Sequence, residues 1–254
     1  MSGKEIILIN ALALPEDSRV DQRVPKKLML EYGVPTPADK RAIQDGIEEL
    51  FWVAALKPTH VGVSAFRDEI REYLEIVVLT AVFRGDAKTN RLIELIHRAI
   101  PYPVALLAET GETWTLSVAH KRGSQGETGK VVIEDVRCTT PILPSAPTAV
   151  ESGFLASLAV SGLPKGDLFT LYQGWLDRVA ALEAARLTDA FVVPGAPEQG
   201  EALKIDLESY NRIERELVSL RARAKKEKHI NRRVELNVEI KRLEGDLAGI
   251  RERL

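Results

Sequence analysis

The chain reads as an α+β protein: a mostly antiparallel sheet with helices on one side, plus a C-terminal helical hairpin or coiled-coil arm. Three observations predict this. Runs rich in β-branched and aromatic residues gather between His60 and Cys138. Stripes of apolar residues at spacings of three and four flank them. After Gly200 no proline occurs, and no glycine until Gly245, in a charged run whose leucines and isoleucines keep a heptad rhythm. At 254 residues the chain buries enough apolar surface to fold without staples.

In chain order, Ile6 to Leu14 is mostly apolar and fits either a short strand or the start of a buried helix. From Asp39 to Leu56, the spacing of Ile43, Ile47, Leu50, Phe51 and Ala54 predicts a helix lying on a core, started by Thr36 or Asp39 and ended by Pro58. Tyr73, Ile76 to Leu79, Val82 and Phe83 predict a strand buried on both faces over part of its length. Arg84-Gly85-Asp86 is turn chemistry, and Lys88 to Ile100 returns to helical spacing, closed by Pro101 and Pro103. Val104 to Ala108 and Thr113 to His120 form a predicted hairpin about Gly111, with one face wet and one buried. Gly123 to Gly129 reads as a flexible loop and Lys130 to Cys138 as a further strand.

Pro141 to Pro147 is a proline-rich connector, and Ala149 to Val160 and Leu168 to Arg186 read as helices. Pro194 to Gly200 is the clearest composition break and reads as a linker. The expected organisation is therefore an α+β domain over 1–140, a helical subregion packed on it over 148–190, and the arm over 201–254.

Bulk properties narrow the function classes. One cysteine, Cys138, permits no intrachain bridge and no zinc-finger spacing, which fits a reducing compartment. The N-terminal apolar stretch is too short for a signal peptide, and no apolar run approaches the roughly 18 to 20 residues that span a bilayer. A cytoplasmic protein without membrane contact is expected. The net charge of -2 gives no global attraction to nucleic acid, so such binding needs a local patch.

The arm supplies that patch and an interaction seam. Leu236, Ile240, Leu243, Leu247, Ile250 and Leu254 follow at steps of four, three, four, three and four, and Leu203, Leu207, Tyr210, Ile213, Leu217 and Leu220 keep nearly the same rhythm. The first five of the C-terminal set are the candidate partner-binding residues. Between the two seams, residues 221–233 carry seven cations and one anion, Glu227. A polar stretch of that kind is either a solvated mid-helix section or the tip of a hairpin, and the hairpin satisfies both seams within one chain. Lys225, Lys226, Lys228, Arg232 and Arg233 are the candidate phosphate contacts, with no interleaved aromatic to stack on bases.

Catalytic signals are weak. His60, His97, His120 and His229 are far apart and lack metal-ligand spacing, so each reads as a structural or surface histidine. Glu109, Glu112, Glu134, Asp135 and Lys121 are the residue types of a metal-dependent nuclease, but their spacing departs from the acidic-x-lysine element. Walker-type, dinucleotide-binding and nucleophile-elbow motifs are missing. No catalytic residue, cofactor or metal is expected.

Leu14-Pro15 with Val24 to Lys27, Ile100-Pro101-Tyr102-Pro103 ahead of a strand, and Lys226 to Asn237 together resemble an uncharacterised bacterial family of unknown function. The resemblance covers nearly the full length. It implies a setting beside Swi/Snf-type helicases and type III-like DNA methyltransferases in phage-defence or restriction-like gene clusters, and no catalytic residues to carry over. The expected function is a non-catalytic accessory subunit of a DNA-processing system. It docks through its arm onto a helicase or methyltransferase subunit or onto itself; the alternatives are a nuclease of such a system and a nucleic-acid-binding module using 221–233.

Overall fold

A computed structural model describes residues 3–32, 36–124 and 131–254, with the backbone alone for 3–6, 32 and 135. The chain divides into two compact units, Met1–Val179 and Ala180–Leu254. The first opens with α1 (Gly3–Ala11), so the apolar N-terminal run is a helix, followed by β1 (Arg19–Arg23), α2 (Lys26–Tyr32) and α3 (Pro37–Gly46). Next come β2 (Ile47–Leu56), α4 (Pro58–Val61), β3 (Phe66–Arg67), β4 (Glu72–Tyr73), β5 (Ile76–Phe83), α5 (Thr89–Ala99), β6 (Val104–Thr110), β7 (Thr113–Gly123) and β8 (Val131–Cys138). Then follow α6 (Ala149–Ser157) and α7 (Leu168–Thr188), inside which the two units divide.

Among the described residues, six strands form one sheet in the order β1-β2-β5-β6-β7-β8, and β3-β4 form a separate ribbon. Pairing in the sheet is antiparallel except between β5 and β6, which run parallel because α5 carries the chain back between them. The α+β class with a mostly antiparallel sheet is therefore the observed one.

The helix expected over 39–56 stops at Gly46, and Ile47 to Leu56 are a strand. Thr36 caps α3, its hydroxyl accepting from the Asp39 amide while the Asp39 carboxylate accepts from the Thr36 amide. Gly46 ends it against α5, where an added Cβ would meet Leu92 at 2.8 Å. Two register irregularities, at Ile47/Glu49 and Trp52/Ala54, explain the misleading pattern. Each interrupts the strand's alternation, so the buried positions Ile47, Leu50 and Val53 fall three apart and imitate a helix. Pro58 accordingly starts α4 and ends no helix.

On one face of the sheet, Met29, Ile43, Leu92 and Ile96 of the helices meet Val77, Leu79 and Leu106 of the strands. The alternate residues Val78, Thr80, Ala105 and Leu107 are buried as well. The β6-β7 hairpin turns on Gly111 at φ 64°, which glycine adopts without strain. Its expected wet face does not exist, since Thr115, Ser117 and Ala119 are as enclosed as Trp114, Leu116 and Val118. Gly123 closes β7, and residues 125–129 of the expected loop, with residue 130 of the expected strand, lie outside the described residues.

The buried Tyr172 of α7 ties the ends of β6 and β7, its hydroxyl donating to the Val104 carbonyl at 2.6 Å and accepting from the Ala119 amide at 2.8 Å. Burial pushes the phenol well above its usual pKa, so the hydroxyl keeps its proton for that bond.

The second unit is led by the hairpin α8 (Pro197–Lys226) and α9 (Ile230–Arg251). Pro197 occupies the first turn of α8, so the latter part of the expected linker is helix. Ile213, Leu217 and Leu220 of α8 pack with Leu243 and Ile250 of α9, and Leu207 packs with Ala180 and Ala184. The two helices join through Glu227, Lys228 and His229, where the Glu227 carboxylate accepts from the His229 amide at 2.8 Å.

Removing the Tyr172 hydroxyl strands a buried amide and a buried carbonyl. Tyr172→Phe is expected to lower stability by about 1–3 kcal/mol, read as a lower urea midpoint with unchanged far-ultraviolet circular dichroism.

Candidate functional site

The hairpin assembles the sequence-derived site residues in two places. Leu236, Ile240, Leu243, Leu247 and Ile250 line the inside of the hairpin, against the stripe of α8 that includes Tyr210, Ile213, Leu217 and Leu220. What these five meet is thus the chain's own helix. Two ion pairs bracket that seam, Arg221 with Glu244 at 2.7 Å and Arg253 with Asp206 at 2.6 Å. Lys225, Lys226, Lys228, Arg232 and Arg233 converge at the closed end and are all exposed.

Their placement on the helices is uneven in its electrostatics. Lys225 and Lys226 lie in the last turn of α8, where the helix dipole favours cations. Arg232 and Arg233 lie in the opening turns of α9, where the dipole opposes them. Glu227 is the counter-charge at the tip, its carboxyl held below the usual range first by the His229 amide and further by the nearby cations.

Of the nuclease residue types, Glu109 and Glu112 lie at the far end of the β6-β7 hairpin from Lys121, whereas Glu134 and Asp135 lie on β8 beside Lys121 and His120. Glu109 pairs across the hairpin with Trp114, and Lys121 lies seven residues further along β7, about 23 Å at roughly 3.3 Å per residue. Glu134 is gripped by both guanidinium nitrogens of Arg71, at 2.8 and 3.0 Å. Lys121 points inward, donating to the carbonyls of Ile100 at 2.6 Å and Tyr102 at 2.5 Å, and burial lowers its pKa well below the ordinary lysine value. It fastens the Pro101 junction. The side chain of Asp135 lies outside the described residues, among which no three His, Cys, Asp or Glu groups are placed to hold a metal ion.

The histidines are mostly engaged in the fold. His60 contacts the Ala55 carbonyl at 2.9 Å through Nδ1, and His229 is the residue before α9. His97 is fully buried, with Nε2 on the Ser117 hydroxyl at 2.9 Å. The Cys138 thiol donates to the same hydroxyl at 3.4 Å, and burial raises that thiol's pKa.

His120 belongs to a chain of hydrogen bonds that sequence reading does not reveal. Tyr73 donates to its Nδ1, its Nε2 donates to Gln173 Oε1 at 2.7 Å, and Gln173 Nε2 donates to Asp177 at 2.7 Å. Burial raises the pKa of both Tyr73 and Asp177. Phe169 stacks on the His120 ring at a centroid distance of 4.8 Å. These groups come from β4, β7 and α7, so no local spacing announces them. Each donor meets an acceptor, and the chain joins the three elements.

An open cleft of about 520 Å³ lies where β5 leads into α5, lined by charged groups including Asp39, Arg41, Arg84 and Arg91. Arg91 is engaged there, donating two bonds of 2.8 Å to Asp39 and one of 2.7 Å to Glu94. Arg91 thereby holds the Asp39 carboxyl far below its usual pKa. Sequence reading also missed a second apolar row on α9, with Ile230, Val234 and Val238 exposed; their steps of four were the available signal.

His97 gives the fold a pH dependence. Burial first, and the Lys121 charge second, keep its folded pKa well below 6.5. Below about pH 6.5 the unfolded chain takes up a proton that the folded chain refuses, so stability falls as pH falls, by up to about 1.4 kcal/mol per pH unit. Urea unfolding from pH 7.5 to 5.5 should show this loss, and His97→Leu should flatten it.

Among the described residues no helix is long and apolar enough to cross a membrane. No curated protein and no solved structure matches the chain. Residues 12–247 match the family described as Domain of unknown function (DUF4391). Since that match spans both the sheet and the hairpin, the chain belongs to this family.

Proposed function

We propose that this chain is a non-catalytic accessory subunit of a bacterial DNA-processing system of the restriction or phage-defence kind, and that the tip of its C-terminal hairpin lies on the phosphate backbone. The observation that carries this reading is the exposed group Lys225, Lys226, Lys228, Arg232 and Arg233 at the closed end of the hairpin. Helix stability does not account for it, because the two arginines of α9 sit against the helix dipole. Cations kept there despite that cost are well placed to neutralise phosphates and release counterions. The seam is occupied by the hairpin itself, which leaves its outer surfaces for contacts. With no aromatic in residues 221–233 to stack on bases, recognition follows the backbone and is independent of sequence.

The family resemblance supplies the proposed protein partner, a helicase or methyltransferase subunit. Co-purification of that partner with the full chain, lost on deleting residues 201–254, is the expected result.

Phosphate contact is tested by fluorescence anisotropy of a short labelled duplex titrated with the chain at several salt concentrations. The affinity should fall linearly on a double-logarithmic salt plot, with a slope of roughly -0.9 per phosphate contacted. Changing the five tip cations to alanine should flatten that slope while helix content stays constant. Binding that is absent, or unaltered by those changes, rejects the reading.

A further inference from the structure

The outer face of α9, opposite the seam, departs from what an isolated hairpin needs. Ile230, Val234 and Val238 are 67, 55 and 65 % exposed. With Lys241, Gly245 and Ala248 they form a row at steps of four, four, three, four and three. At 3.6 residues per turn this row lies across the helix from Leu236, Leu243 and Leu247. A hairpin arm with one buried seam is stable with charged residues on the far side, and α9 instead carries a second apolar stripe.

The stripe has a graded shape. Its N-terminal half is bulky, and its C-terminal half is small, with open space over both Gly245 and Gly249. A parallel partner of the same kind would set bulk on bulk. An antiparallel one sets Ile230 and Val234 over the glycines and alanine of its mate.

The charges beside the stripe select the same arrangement and its register. Glu235 and Arg242 flank it on one side, and Arg233 and Glu244 on the other. An antiparallel pair with its two-fold axis beside Val238 brings Glu235 of each chain to Arg242 of the other. The same axis brings Arg233 to Glu244, so both sides share one centre. Lys241 then faces Asn237 of the mate, a polar pair of the kind that fixes register in helix pairs. Within one hairpin, Arg242 holds Glu239 at 2.6 Å and Asp246 at 3.0 Å, and Glu244 holds Arg221. These are exposed pairs that exchange partners easily. The turns of an antiparallel pair end up about 30 Å apart and the two Arg233 residues about 16 Å apart along the axis at roughly 1.5 Å per residue, beyond the screening length of about 8 Å at physiological salt.

We infer that the outer face of α9 is a self-association surface, on which a second copy of this chain packs antiparallel about Val238. The seam stays closed inside each hairpin. This inference does not rest on nucleic-acid binding.

Sedimentation of the full chain over a range of concentrations tests it, with helix content followed by circular dichroism. The chain should pass from monomer to dimer. Val238→Asp, which sets like charges across the two-fold axis, should raise the dissociation constant at least roughly tenfold. Val218→Asp, at an exposed valine of α8 outside the stripe, should leave it unchanged. Glu235→Arg and Arg242→Glu should each weaken the dimer, and the two together should restore it. A chain that is monomeric at every concentration, a dimer indifferent to Val238→Asp, or a double reversal no better than either single change overturns the inference.

Discussion

Two leucine- and isoleucine-rich stripes, one on α8 and one on α9, bury each other, and the character of the second unit depends on that contact. Each buried leucine or isoleucine contributes about 1.5–3 kcal/mol relative to exposure. The ion pairs that bracket the seam are exposed and add little by comparison. Because the stripes close on one another, the residues best suited to bind a foreign helix are already occupied. What the hairpin offers outward is its tip, its far faces and its charges.

The sheet of the first unit depends on a different constraint. Its central strands β5, β6 and β7 are enclosed on both faces, so a polar group placed among them is costly unless the fold supplies a partner. Tyr172 supplies one at the ends of β6 and β7, Lys121 another beneath Pro101, and the Tyr73–His120–Gln173–Asp177 chain a third. These side chains are the types that populate active sites. Here their hydrogen bonds return to the protein's own backbone and neighbouring side chains. Of the nuclease residue types, Glu109 lies at the far end of the β6-β7 hairpin from Lys121, and Glu134 is engaged with Arg71.

Much of this architecture was legible in the residues. Strands β5 to β8, helix α5, the turn at Gly111 and the two stripes of the hairpin follow from local periodicity and turn chemistry, which act over a few residues. Strand β2 was illegible for a physical reason: its irregularities against β5 displaced the buried positions and gave a strand a helix-like period. The wet face assigned to β7 failed because alternation of Thr115, Ser117 and Ala119 with larger residues records side-chain size. Burial of those small residues is decided by what packs above them. The linker reading of Pro197 to Gly200 failed because proline and glycine also serve in the first turn of a helix.

The candidate sites divide along the same line. The sequence by itself determined the composition of the basic tip and the existence of two seams, because charge density and heptad spacing are properties of consecutive residues. Only the tertiary structure decided that the seams face each other across a turn at Glu227–His229, that Lys121 and His97 are interior, and that the row Ile230, Val234 and Val238 remains outside. Burial is a relation between distant segments, and no local pattern records which of two apolar stripes on one helix its neighbour will cover.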